Sequence, residues 1–311
     1  MIRLIKNTVY TYNHQGKADK YVYALTDRGF FQTRSRTRSH VVLMDIDDPI
    51  RTTFHVNQAR NGGGIFVYPH AARAPITWDG LFRPWGMTTA VFVSAPGHVD
   101  VLRAYGFSGR IVVAGWAYCP ILPYKPIHNP RKVLFGPIHP TSKSFLSKKD
   151  RGINKATYER LLKMVSQGEI DLTVRYIRGL ENNGLWHDDR VTFVEGRTDL
   201  TYTDIDAAEV VVSHQTFAYI ALARGKHVVM MAEDVPPRNG GSEQDFRYVR
   251  SWDKYKDILM YPLDILNTCT PLDLIKNTEV NPKVEDWKAR HIGSEFNSQI
   301  VYDTVMKYTN V

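Results

Sequence analysis

Short apolar runs recur along the chain, separated by stretches with the 3.6-residue spacing of helices. Residues 8–12 (TVYTY), 40–46 (HVVLMDI), 65–69 (IFVYP), 90–95 (AVFVSA) and 110–115 (RIVVAG) predict strands, with helices over 17–28, 50–59 and 99–106. The second helix is expected to end at Gly62, Gly63 and Gly64. Strand runs with little polar alternation are buried on both faces, and helices of this length between them imply βαβ crossovers in a parallel sheet.

The pattern then breaks and restarts. Residues 119–130 (CPILPYKPIHNP) hold Pro120, Pro123, Pro126 and Pro130 without an apolar period, the stiff extended composition of a linker. Beyond it, 132–138 (KVLFGPI), 171–177 (DLTVRYI) and 190–196 (RVTFVEG) predict strands, and 155–167 an amphipathic helix. Residues 210–231 (VVVSHQTFAYIALARGKHVVMM) read as one strand-helix-strand unit, and 295–308 as a terminal helix. The expected fold is α/β: two Rossmann-like parallel-sheet domains facing a central cleft, with a C-terminal helix packing back. The expected boundaries are an N-terminal α/β domain over 1–122, a linker over 123–131, a C-terminal α/β domain over 132–290, and the helix over 291–311.

Composition adds a partner class. The 311 residues are 43% hydrophobic, enough for two cores, and carry a net charge of +8. Within residues 28–40 (RGFFQTRSRTRSH), Arg28, Arg34, Arg36 and Arg38 alternate with Ser and Thr, and Arg51 follows; the composition suits contacts to a phosphate backbone and also a solvated basic loop. No stretch reaches the roughly 18 to 20 apolar residues of a membrane span, and residues 1–15 lack a signal peptide's apolar region, so the expected location is the cytoplasm. Cys119 and Cys269 lie far apart without CxxC spacing and are expected as buried, reduced thiols.

In open α/β sheets ligands gather beyond the C-terminal strand ends. In the second domain that rule selects 136–144 (GPIHPTSKS), 194–202 (VEGRTDLTY) and 213–216 (SHQT). Ser213 and Thr216 stand at the start of a helix, where their hydroxyls and the free N–H groups suit an anion; the same residues also suit ordinary capping. Thr141, Ser142 and Lys143 offer similar donors plus a positive charge. No metal site is assigned. The acids of 45–48 (DIDD) read as a helix cap as well as an Asp-x-Asp motif.

Residues 191–231 resemble the C-terminal half of the GT-B glycosyltransferases: a strand and loop facing the nucleobase, an acidic strand, a Ser/Thr phosphate loop, and a helix ending in Gly-Lys before a valine strand. The resemblance implies a UDP-sugar donor, with the nucleobase at 194–197, including Glu195 and Arg197, and the diphosphate at Ser213, His214, Gln215 and Thr216. Gly136, Ser142 and Lys143 line the neighbouring loop, and Glu233 and Asp234 meet the donor sugar. Ile220 stands near the position where many members carry a ribose-binding Glu. Transfer to a hydroxyl needs a base. His14, Asp100 and His70 are the candidates, with His98 and Asp79 beside them.

Basic charge and the resemblance together suggest a hexosyl- or pentosyltransferase acting on DNA, similar to viral enzymes that glycosylate hydroxymethylated bases. Arg34, Arg36 and Arg38 would meet phosphates, and Trp78 and Trp85 would steady a flipped base. The alternatives are a transferase building a cell-surface polymer, a UDP-sugar epimerase of the same fold, and a non-catalytic nucleic-acid-binding protein.

Overall fold

The computed structural model describes residues 5–11, 18–34, 39–45, 63–69, 88–104, 107–123, 131–138, 148–177, 179–196, 201–213, 215–230 and 283–309. The chain divides into two compact units; among the described residues the breaks fall between Tyr118 and Cys119 and between Lys288 and Ala289.

The first unit is built on a six-stranded sheet of β1 (Ile5–Thr11), β2 (Phe31–Gln32), β3 (Ser39–Asp45), β4 (Gly64–Tyr68), β5 (Ala90–Val93) and β6 (Ile111–Val113), in the order β2-β1-β3-β4-β5-β6. Every pairing is parallel, as the buried apolar runs require. Val41 and Leu43 face one side of the sheet, where Tyr21, Val22 and Leu25 of α1 (Ala18–Thr26) and Val301 and Val305 of a C-terminal helix pack with them. Val42 and Met44 face the other side, beside Leu102 of α2 (Pro96–Ala104) and Phe107. The unbroken apolar run of β3 is thus two faces, each with its own helix layer.

The second unit has a five-stranded parallel sheet of β7 (Lys132–Phe135), β8 (Asp171–Tyr176), β9 (Thr192–Glu195), β10 (Val210–Ser213) and β11 (His227–Met230). Its order, read from one edge, is β9-β8-β7-β10-β11. This is third, second, first, fourth, fifth along the chain, the doubly wound arrangement. Tyr158, Leu161 and Met164 of α3 (Lys148–Ser166) cover Val133, Phe135, Leu172, Val174, Val210 and Val212. The connections from β9 through β11 run by α4 (Thr201–Ala207) and α5 (Gln215–Ala223), and α6 (Lys283–His291) follows later in the chain.

The last helix, α7 (Ser298–Tyr308), packs back on α1 as expected. Asn297 caps it, its Oδ1 accepting from the N–H groups of Gln299 (3.0 Å) and Ile300 (3.2 Å). The segment before it is held beside β6: Trp116 N–H donates to the Ser294 carbonyl (2.7 Å) and Asn297 N–H to the Ala114 carbonyl (2.8 Å).

Several elements differ from expectation in extent. Helix α3 begins at Lys148, seven residues before the predicted start at 155, because its first two turns are polar and carry no apolar period. The acidic stretch before β10 is the helix α4, not strand, and only Val210–Ser213 is extended. The expected helix over 50–59 and most of the linker lie outside the described residues. None of the described helices is long and apolar enough to cross a membrane.

Candidate functional site

In the second unit the strand order reverses between β7 and β10, so the crevice that doubly wound sheets offer to ligands lies beyond Phe135 and Ser213. Gly136, the residue after β7, is buried there. Its N–H donates to the Val212 carbonyl (2.9 Å), and its own carbonyl accepts the Ser213 hydroxyl (2.7 Å). A Cβ at Gly136 would come to 2.9 Å from both Ser213 Oγ and Phe217 Cδ1. Only a glycine lets the two strand ends and the first turn of α5 meet so closely.

The Ser213 hydroxyl donates to the Gly136 carbonyl, so the side chain ties β7 to β10; beside it, among the described residues, α5 opens with backbone N–H groups that have no acceptor within the helix. Those groups and the helix dipole together favour a negative charge. Gln215 and Thr216 lie in this first turn.

Two buried asparagines tie the chain after β7 to the chain after β8, and neither stood out in the sequence. Asn154, from α3, is fully buried; its Oδ1 accepts from Ile138 N–H (2.8 Å), and its Nδ2 donates to the carbonyls of Ile138 (2.7 Å) and Asn183 (2.8 Å). Asn183 Nδ2 in turn donates to the carbonyls of Ile177 (2.8 Å) and Gly179 (2.6 Å). The loop after β7 is therefore bonded to the loop after β8 through one side chain. The signal was present: Asn154 shares the helical phase of Tyr158 and Leu161, where a polar residue is unexpected.

Arg175 of β8 was also missed. It is buried, and its Nε donates to Asp204 Oδ2 of α4 at 2.9 Å. Its guanidinium carbon lies 5.3 Å from the centre of the Phe217 ring. Glu195 ends β9, two strands from β7 and hence roughly 10 Å across the sheet, with its side chain exposed. A ligand reaching both Glu195 and the start of α5 must be extended.

In the first unit the order reverses between β1 and β3. The residues that follow both strand ends, His14 among them, lie outside the described residues. Asp100 is on α2, after β5 and two strands from β3; its carboxylate is exposed and accepts from Arg290 Nη2 at 3.1 Å. His98 is no base for a substrate. It is 1% exposed, with its ring 6.5 Å from that of His291, and burial holds its imidazole down at about 4. Arg34 is exposed next to the short edge strand β2.

The other site residues expected from sequence lie outside the described residues: His70, Ser142, Lys143, Arg197, His214, Glu233, Asp234, Arg36, Arg38, Trp78 and Trp85. Asp45 ends β3, and the rest of the DIDD run is outside as well. Cys119 is buried.

No family model matches the chain, and no curated protein matches it. Solved structures do. The wall teichoic acid polymerase TagF is similar at a TM-score of 0.55 and 8% identity, over 98% of this chain and 89% of that one. The glycosyltransferase SnogD from Streptomyces nogalater matches at 0.51 and 8%, over 99% and 100%. A candidate UDP-N-acetylglucosamine 2-epimerase from Listeria monocytogenes matches at 0.51 and 12%, over 97% and 94%. The fold is that of the GT-B glycosyltransferases, two parallel-sheet α/β units.

Proposed function

We infer, on the premise of that fold, that the protein is a nucleotide-sugar-dependent enzyme that transfers a glycosyl group from a UDP-sugar to a hydroxyl. One observation carries the reading: the second sheet reverses its strand order where Gly136, the Ser213 clamp and the opening N–H groups of α5 converge. A diphosphate meets there the dipole and the unpaired donors of the helix. The nucleobase then reaches toward Glu195 and the residues after it, Ser142, Lys143, His214 and Arg197 complete the donor contacts, and Glu233 and Asp234 meet the sugar.

For the base we favour His14, three residues beyond Thr11 at the end of β1, since β1 borders the switch point of the first sheet. His70 and Asp100 are next. Nothing in the structural likenesses points to a viral DNA-base glycosyltransferase. The net charge of +8 and the exposed Arg34 support an acceptor of a broader kind, a phosphodiester polymer with free hydroxyls, which includes hydroxymethylated DNA and polyol-phosphate chains. The TagF likeness favours the polyol-phosphate member. The likeness to the Listeria candidate epimerase supports a second reading, in which the donor is epimerised and no acceptor is used.

The test is incubation with a panel of UDP-sugars and, separately, hydroxymethylated duplex DNA and glycerol phosphate oligomers, read by mass spectrometry. A mass gain of one sugar on either polymer supports transfer and names the acceptor. Conversion of UDP-N-acetylglucosamine to its 2-epimer without a polymer selects the second reading, and no change of any donor sinks both.

A further inference from the structure

Arg175 touches three separate elements around the crevice. Its Nε bonds Asp204 of α4 at 2.9 Å, its guanidinium lies against the Phe217 ring in the first turn of α5, and Nη1 is 3.0 Å from where a Cβ on Gly196 would stand. Gly196 is itself drawn onto the end of β8, its N–H donating to the Tyr176 carbonyl at 2.6 Å. The side chains of Arg175 and Asp204 are only 7% and 13% exposed. An ion pair so buried is costly to desolvate, and apolar residues of the same volume would hold the fold at least as well. Its planar guanidinium does what an apolar residue cannot: it holds Asp204 by a directed hydrogen bond while it lies against Phe217 and beside Gly196.

We propose that Arg175 is the positioning residue of the donor site, setting the first turn of α5 and the backbone at Gly196 in the one relation that accepts a nucleoside diphosphate. The inference rests on the reading of this crevice as a nucleotide-sugar site. Phe217 is the link, because it is packed both on Arg175 and against Gly136. Arg175 thereby reaches the β7–β10 clamp through Phe217.

The experiment separates positioning from stability. UDP affinity is measured by calorimetry, and thermal midpoint alongside it, for wild type, Arg175→Met, Arg175→Lys and the double variant Arg175→Met/Asp204→Leu. Arg175→Met leaves Asp204 buried and unpaired, so its midpoint falls; the double variant removes both charges and recovers the midpoint. The expected result is that UDP binding in the double variant stays weaker by about tenfold or more despite that recovery. Arg175→Lys, a point charge without the fork, is expected to fail in the same way. Affinity that returns together with the midpoint overturns the proposal, because the pair is then packing alone. A stable wild-type protein that does not bind UDP overturns the donor-site reading and this inference with it.

Discussion

Acidification should weaken both units through three buried imidazoles. Burial lowers His98 to about 4, with a partly opposing hydrogen bond to the His291 backbone. His291 is lowered to about 3, first by burial and then by the charges of His98 and Arg290, and His227 in β11 is lowered to about 4 by burial. The unfolded chain takes up protons near the ordinary histidine value of about 6.5, and the folded chain does not until far lower pH. Stability is therefore whole above the unfolded value and declines as pH falls below it. From pH 8 to pH 5 each imidazole costs about 2 kcal/mol, so the first unit loses about 4 and the second about 2. Against the roughly 5 to 15 kcal/mol of a typical domain, the first unit becomes marginal near pH 5. Asp188, held at about 2 chiefly by its hydrogen bond from Arg190, titrates well below this window. The assay is urea unfolding at half-unit steps from pH 8 to pH 5, for wild type, His98→Gln and His227→Gln. Each variant should lose about 1.4 kcal/mol per pH unit from the slope below pH 6.5, whatever its stability at pH 8. A His98→Gln slope equal to that of wild type would refute the reasoning.

Three further substitutions probe the site and the fold. Asn154→Leu removes the amide that satisfies Ile138 N–H and binds the part-buried Ile138 and buried Asn183 carbonyls, and should cost about 2 to 4 kcal/mol in urea unfolding. Gly136→Ala pushes a methyl onto Phe217 and Ser213, and should weaken UDP binding by about tenfold or more, measured by calorimetry, with the circular dichroism spectrum kept. Asn297→Ala leaves two N–H groups at the start of α7 without their acceptor, and should lower stability by about 1 kcal/mol, seen as an earlier urea midpoint.

The layout of strands and helices was legible because burial on both faces writes itself as unbroken runs such as HVVLM and VVV, and parallel crossovers leave helix-length gaps between them. The edge strand β2 was not, since two exposed residues carry no period. Nor was α6, whose KVEDWKARH carries five charged residues in nine. Around the crevice, the position of Ser213 could be read from its place after a valine run, but not where its hydrogen would go, because the Gly136 carbonyl is 77 residues away in the chain. Arg175 was hidden for a related reason: within DLTVRYI it reads as an ordinary polar strand residue, and the partners that give it meaning, Asp204 and Phe217, come from later helices.

The asparagine clasp has a consequence for anyone who would retool this protein. With Ile138, Ile177, Gly179 and the Asn183 backbone all held through Asn154 and Asn183, the starts of the loops after β7 and β8 are one machined part and not two. A loop transplanted alone from a relative arrives without its fastener and drags the neighbouring loop out of true. An exchange that carries residues 136–138, Asn154 and 177–183 together moves an intact piece, and specificity can be altered on top of it without first repairing the frame.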